Sequence, residues 1–107
     1  MKNILILGAS GSIATLVERQ LLDRPDVQMT LLARHPERLA EDIHHDARVK
    51  VVVADVVKDY DQLVTAMNGQ DIIYANLYGA NLKQQGQAVV KAMRATGLKR
   101  IIWISAN

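Results

Sequence analysis

Ile4-Leu5-Ile6-Leu7-Gly8-Ala9-Ser10-Gly11-Ser12-Ile13-Ala14 is the stretch that decides how this chain is read. Four branched apolar residues in a row suit a strand covered on both faces, and the glycine behind them permits backbone angles that a side chain would obstruct. Small polar residues and then a helical pattern follow at once. The stretch therefore predicts strand, glycine turn and helix in direct succession. In such a turn Gly11 would leave room for a phosphate group to approach the backbone, and Ala14 would let the helix pack close to the strand. The N–H groups of Ser10, Gly11, Ser12 and Ile13 would face that group from the positive end of the helix dipole. A glycine turn also ends many strands that hold no ligand; the strand before it and the helix after it favour the phosphate cradle.

Working outward, strand and helix patterns alternate to the end of the chain. Ile13, Leu16, Val17 and Leu21 recur at helical spacing, which turns Glu18, Arg19 and Gln20 outward, and Pro25-Asp26 stops this helix. Val27 to Ala33 reads as the second strand, Pro36 to Leu39 as a short helical start, and Glu41 to Ala47 as a polar loop. Val49 to Val53 is the third strand, Asp59 to Met67 a short helix closed by Asn68-Gly69, and Asp71 to Ala75 the fourth strand. A longer helix from Leu82 to Thr96 is expected to bury Leu82, Val89, Val90 and Met93, with Gly97 as its C-cap, and Arg100 to Ser105 is the fifth strand. Alternation without hairpin signals implies the α/β class, a doubly wound parallel sheet between two layers of helices. The expected strand order is 3-2-1-4-5. A ligand would then sit at the carboxyl ends of strands one and four, where the order reverses.

Composition narrows the function classes. With 107 residues the chain is one domain, half of it apolar, with no phenylalanine and a predominance of branched aliphatics. The absence of cysteine excludes disulfides and thiolate metal sites and is compatible with a reducing cytoplasm. A net charge of +2, with Lys and Arg spread along the chain, indicates no nucleic-acid or membrane patch. Lys2 before an apolar run imitates a secretory signal, yet the run stops at Gly8, too short for a signal core. Asp42, His44, His45 and Asp46 are metal-ligand types, but adjacent histidines in a polar loop read as solvated, and no metal is expected.

The GxxGxxA spacing of Gly8, Gly11 and Ala14, at the extreme N-terminus, resembles the GxxGxxG/A turn of the short-chain dehydrogenase/reductase superfamily, above all its atypical, NmrA-like members. The resemblance implies a Rossmann-like domain that binds a dinucleotide. Arg34 then falls where such folds read the adenosine ribose: an acidic residue there would bond the 2′-hydroxyl of NAD, whereas a guanidinium matches the 2′-phosphate of NADP. Arg38 would be a second contact. The other reading is an exposed arginine in a strand-to-helix loop. Val53-Ala54-Asp55-Val56 resembles the family's (G/A)D(V/L) motif, which implies that Asp55 and Val56 contact adenine, against the alternative of a turn or N-cap aspartate. Asn76, at the end of strand four, is implied beside the cofactor's ribose and nicotinamide, although its surroundings depart from the Asn-Ala-Gly of typical members. Ser105 matches the serine or threonine that hydrogen-bonds a substrate carbonyl and is the catalytic candidate.

The family's Tyr-x-x-x-Lys pair is not matched: the residues four after Tyr60, Tyr74 and Tyr78 are Val64, Tyr78 and Leu82. In the family that pair lies downstream of strand five. The resemblance thus covers residues 1–107 and implies the N-terminal, cofactor-binding part of a longer reductase. The expectation is a domain that binds NADP, with NAD as the alternative, for hydride transfer to a carbonyl, alkene or quinone-like acceptor. Rival readings are a non-catalytic redox sensor of NmrA type and a fragment without function of its own. The 107-residue chain alone is expected to be inactive, to bind neither nucleic acid nor membrane, and to form homo-oligomers, because Ile101, Ile102, Trp103 and Ile104 would make an apolar edge strand.

Overall fold

The fold is known from a computed structural model, which describes residues 2–77 and 79–105, without the side chain of Ser105. Strand β1 (Lys2–Leu7) is followed by α1 (Ser12–Leu22), β2 (Val27–Ala33), a 3-10 turn at Pro36–Arg38, α2 (Glu41–His44), β3 (Val49–Val53), α3 (Tyr60–Met67), β4 (Ile72–Leu77), α4 (Leu82–Thr96) and β5 (Ile101–Ser105). The five strands form one sheet in the order β3-β2-β1-β4-β5, every adjacent pair parallel. This is the doubly wound order that the alternation predicts. Leu7 lies level with Leu32 on one side and with Ala75 on the other, so β1, β2 and β4 present their carboxyl ends together.

Alternation along the strands divides the interior into two cores. Leu5 and Leu7 point with Leu32, Ile73 and Ala75 toward Leu63 and Met67 of α3 and Val89 and Ala92 of α4. Ile4 and Ile6 point the other way with Met29 and Leu31, toward Ala14 of α1 and Ile43 of α2. At roughly 1.5–3 kcal/mol for each large aliphatic side chain buried, these layers supply the main driving force for the sheet. A cation–π contact of Lys91 over the Tyr60 ring, 4.6 Å to the centroid, joins α3 to α4 on the outside. The Arg48 guanidinium donates to the carbonyls of Leu22 and Arg24, both at 2.7 Å, and so satisfies acceptors left open at the end of α1.

Three local expectations are corrected. Residues 41–47 are not wholly loop, because Ile43 is completely buried and its burial stabilises the single turn of α2. On α4 the buried line runs through Gln85, Val89 and Ala92, whereas Val90 is exposed. On α1 the phase is also rotated. Ile13 and Leu16 are exposed, while Ala14 and Glu18, one turn apart, face the interior with Leu21 and Leu22 packed beside them.

Glu18 is therefore the outstanding anomaly of the fold: its side chain has no exposed surface, and neither carboxyl oxygen has a hydrogen-bond partner. Burial raises its pKa to about 8, against the opposing pull of Arg19. The carboxyl group is thus neutral at pH 7. The unfolded chain ionises near the ordinary 4.5, so the folded state holds an extra proton between pH 4.5 and 8, and stability falls across that window as pH rises. Glu18→Leu should stabilise the chain by about 2–4 kcal/mol at alkaline pH and by distinctly less near the ordinary carboxyl pKa. Urea unfolding at the two ends of the window checks this; a gain that does not grow with pH would contradict the burial of a lone carboxyl group.

Candidate functional site

The site is built on the turn that joins β1 to α1. Gly8 has φ +70, and a Cβ there would lie 2.1 Å from the Asn76 carbonyl oxygen, so both backbone conformation and space demand glycine. The Gly11 N–H donates to the Gly8 carbonyl at 3.1 Å and closes the turn, so this amide, expected to face a ligand, is already engaged. Gly11 is the N-cap of α1 and provides no side-chain cap. Among the described residues the N–H groups of Ser10, Ser12 and Ile13 make no backbone hydrogen bond. A first turn left uncapped beside a cleft is suited to an anion.

The cleft opens at the carboxyl ends of the strands. Gly8 and Ser10 line it from the turn, Arg34, His35 and Arg38 from the segment after β2, Asp55 and Val56 from the segment after β3, and Asn76 from the end of β4. Seven of the residues singled out from sequence thus meet in one place: Gly8, Ser10, Arg34, Arg38, Asp55, Val56 and Asn76. Gly11, Ser12 and Ile13 do not line the cleft; they begin α1 next to it. His35, Asn81 and Gln85 line it without having been anticipated. Asn81, the residue before α4, and Gln85, one turn later, carried a signal: a polar pair at the start of a helix that follows a buried strand. The Gln85 amide donates to Asn81 Oδ1 at 2.6 Å.

Asp55 has two occupations. Its Oδ1 accepts the N–H groups of Val57 at 2.9 Å and Lys58 at 3.0 Å, the turn role foreseen as the alternative. Its Oδ2 lies 3.8 Å from the Arg34 guanidinium, an ion-pair distance too long for a hydrogen bond. The Lys58 amide above all, then that of Val57 and the charges of Arg34 and Lys58, hold this carboxyl below the usual aspartate range. Arg34 itself is largely exposed and makes no hydrogen bond among the described residues, so its planar array of donors is available to an incoming anion.

Asn76 is 5% exposed, one of the few polar side chains in the interior. Ser105 pairs in register with Leu77 at the same end of the sheet, while its side chain lies outside the described residues. The residues of metal-ligand type near α2 are engaged elsewhere: Asp42 pairs with Arg19, Asp46 with Arg48, and the His44 and His45 rings stack with centroids 5.0 Å apart. Among the described residues no helix is long and apolar enough to cross a membrane.

Comparison with known proteins gives a consistent picture. A family described as NAD(P)H-binding matches residues 8–107. A Rossmann-fold NAD(P)-binding family protein from Shigella flexneri superposes with a TM-score of 0.88 at 42% identity, over 94% of this chain and 50% of that one. A short-chain dehydrogenase/reductase from Veillonella parvula, solved in complex with NADP, gives a TM-score of 0.86 at 27% identity, over 97% of this chain and 47% of that one. Protein YmjC of Escherichia coli K12 is 51% identical over 39 residues, 36% of this chain and 65% of that protein. The chain spans about half the length of the two solved structures.

The two glycines of the turn should respond differently to substitution. Gly8→Ala must adopt a positive φ against a backbone oxygen and should cost about 2–5 kcal/mol, whereas Gly11→Ala, at ordinary φ, meets only a side-chain nitrogen and should cost about 1 kcal/mol. Thermal unfolding of both variants decides; equal losses would mean that the Asn76 carbonyl and the positive φ constrain Gly8 no more than the Asn76 side chain constrains Gly11.

Proposed function

We propose, from the premise that this chain belongs to the NAD(P)H-binding family, that its cleft takes NADP(H) in preference to NAD(H) as the cofactor half of a reductase. The observation that carries the preference is Arg34, standing on the cleft wall at the end of β2 with its guanidinium donors unused. A dianionic 2′-phosphate offers a guanidinium charge-assisted, bidentate hydrogen bonds, and a 2′-hydroxyl does not. The NADP held by the Veillonella protein supports the same choice.

In this reading the free amides of Ser10, Ser12 and Ile13 bind the diphosphate over the turn of Gly8 and Gly11, and Arg34 and Arg38 bind the 2′-phosphate. Asp55, through Oδ2, and Val56 meet the adenine, and Asn76 contacts the cofactor near the switch point. When bound, the nicotinamide supplies a hydride for a carbonyl, alkene or quinone-like acceptor. Ser105, at the end of β5, is the residue assigned to the substrate. A reducing cytoplasm suits a chain without cysteine.

Arg34→Ala should weaken NADPH binding roughly ten- to a hundredfold and leave NADH nearly unchanged. Calorimetric titration of both cofactors provides the measurement, and equal losses would overturn the 2′-phosphate assignment. A second expectation concerns assembly. β5 has β4 as its neighbour among the described strands and exposes Ile102 at 48% and Trp103 at 37%, so the 107-residue chain should self-associate as concentration rises. Light scattering across a dilution series would show this; a monomer at every concentration would refute it.

A further inference from the structure

The Asn76 carboxamide is held inside the protein yet unused by it. The residue is 5% exposed and, among the described residues, its side chain makes no hydrogen bond. It is not sealed away like the Glu18 carboxyl group, because it borders the cleft. Two donors and an acceptor that no group among the described residues pairs, and that reach solvent only through the cleft, are left for a ligand entering it to pair. The direction of the amide identifies which part of a ligand that is. Asn76 Nδ2 lies 2.7 Å from the position a Cβ at Gly11 would take, so the amide sits over the glycine turn, beside the uncapped start of α1.

We propose that Asn76 is a diphosphate-binding residue whose amide, seated on Gly11, donates its N–H to the phosphate oxygens held by the first turn of α1. This rests on the dinucleotide reading of the cleft and changes the role of Asn76 within it, from the ribose and nicotinamide to the diphosphate. It also gives the glycine at position 11 a second cause: the space beside its Cα is filled by a protein amide that serves the ligand.

The test separates the parts of the cofactor. Three ligands are titrated: NADPH, 2′-phosphoadenosine 5′-diphosphate, which lacks the second ribose and nicotinamide, and 2′-phosphoadenosine 5′-monophosphate, which also lacks the diphosphate. Asn76→Ala should weaken the first two roughly ten- to a hundredfold and the third less than about twofold. Asn76→Asp, nearly the same shape but without the donor, should lose at least as much on the same two. A loss confined to NADPH would overturn the proposal in favour of the ribose, and no loss, or equal loss on all three, would overturn it as well. Failure of the unaltered chain to bind any of the three would overturn the dinucleotide reading itself. A double-mutant cycle needs no ligand: the fall in urea midpoint caused by Gly11→Ala should vanish when Asn76 is already alanine, and strict additivity would show that the amide does not occupy that space.

Discussion

Everything at the carboxyl end of this sheet depends on how closely β4 approaches the exit from β1. The two strands pair in parallel from Ile4 opposite Ile72 to Leu7 opposite Ala75, and the next residue of β4 places its carbonyl where a side chain on Gly8 would be. The chain can leave β1 only through a left-handed glycine, and that departure brings the first turn of α1 over the sheet with its amides uncapped. The uncapped turn beside the cleft is thus a by-product of strand packing. A side chain at Gly8 would have to displace β4 before it affected any ligand.

Around this turn, charges are distributed by depth. Asp55 spends one oxygen on local amides, which keeps it ionised, and directs the other toward Arg34 at a distance that orients the guanidinium without immobilising it. Exposed pairs of this length contribute little to stability, so Arg34 gives up little when an anion arrives. Glu18 is the opposite case, a carboxyl group without a hydrogen-bond partner, for which burial outweighs the pull of Arg19 and which is tolerated because it stays protonated. The first arrangement suits recognition; the second is a cost carried in the core.

The strand order, the glycine turn and the meeting of Arg34, Asp55 and Asn76 were legible in the sequence because each follows from a local pattern repeated along a simple topology. Helix phase was less legible. On α1, Ile13 and Leu16 satisfy helical spacing as well as Ala14 and Leu21 do, and only the direction in which the Gly8 turn releases the chain selects the buried set, which includes Glu18. Asn81 and Gln85 escaped notice because a polar pair at a helix start reads as solvated until the neighbouring strand is seen to end in a cleft. The occupation of the Gly11 N–H by the Gly8 carbonyl is a contact within the turn that spacing alone does not encode.

The placement of Trp103 has a spectroscopic consequence. It is the one tryptophan of the chain, it sits on outer strand β5 at 37% exposure, and an added Cβ at Gly86 of α4 would lie 3.6 Å from its ring. Indole emission shifts to shorter wavelength as water is withdrawn from the ring, so the fluorescence maximum of this protein reads out a single location, the junction of β5 and α4. Any polypeptide that came to lie along that edge would be registered optically and without a label, and because Gln85, next to Gly86, lines the cleft, a change there could reach the same ring.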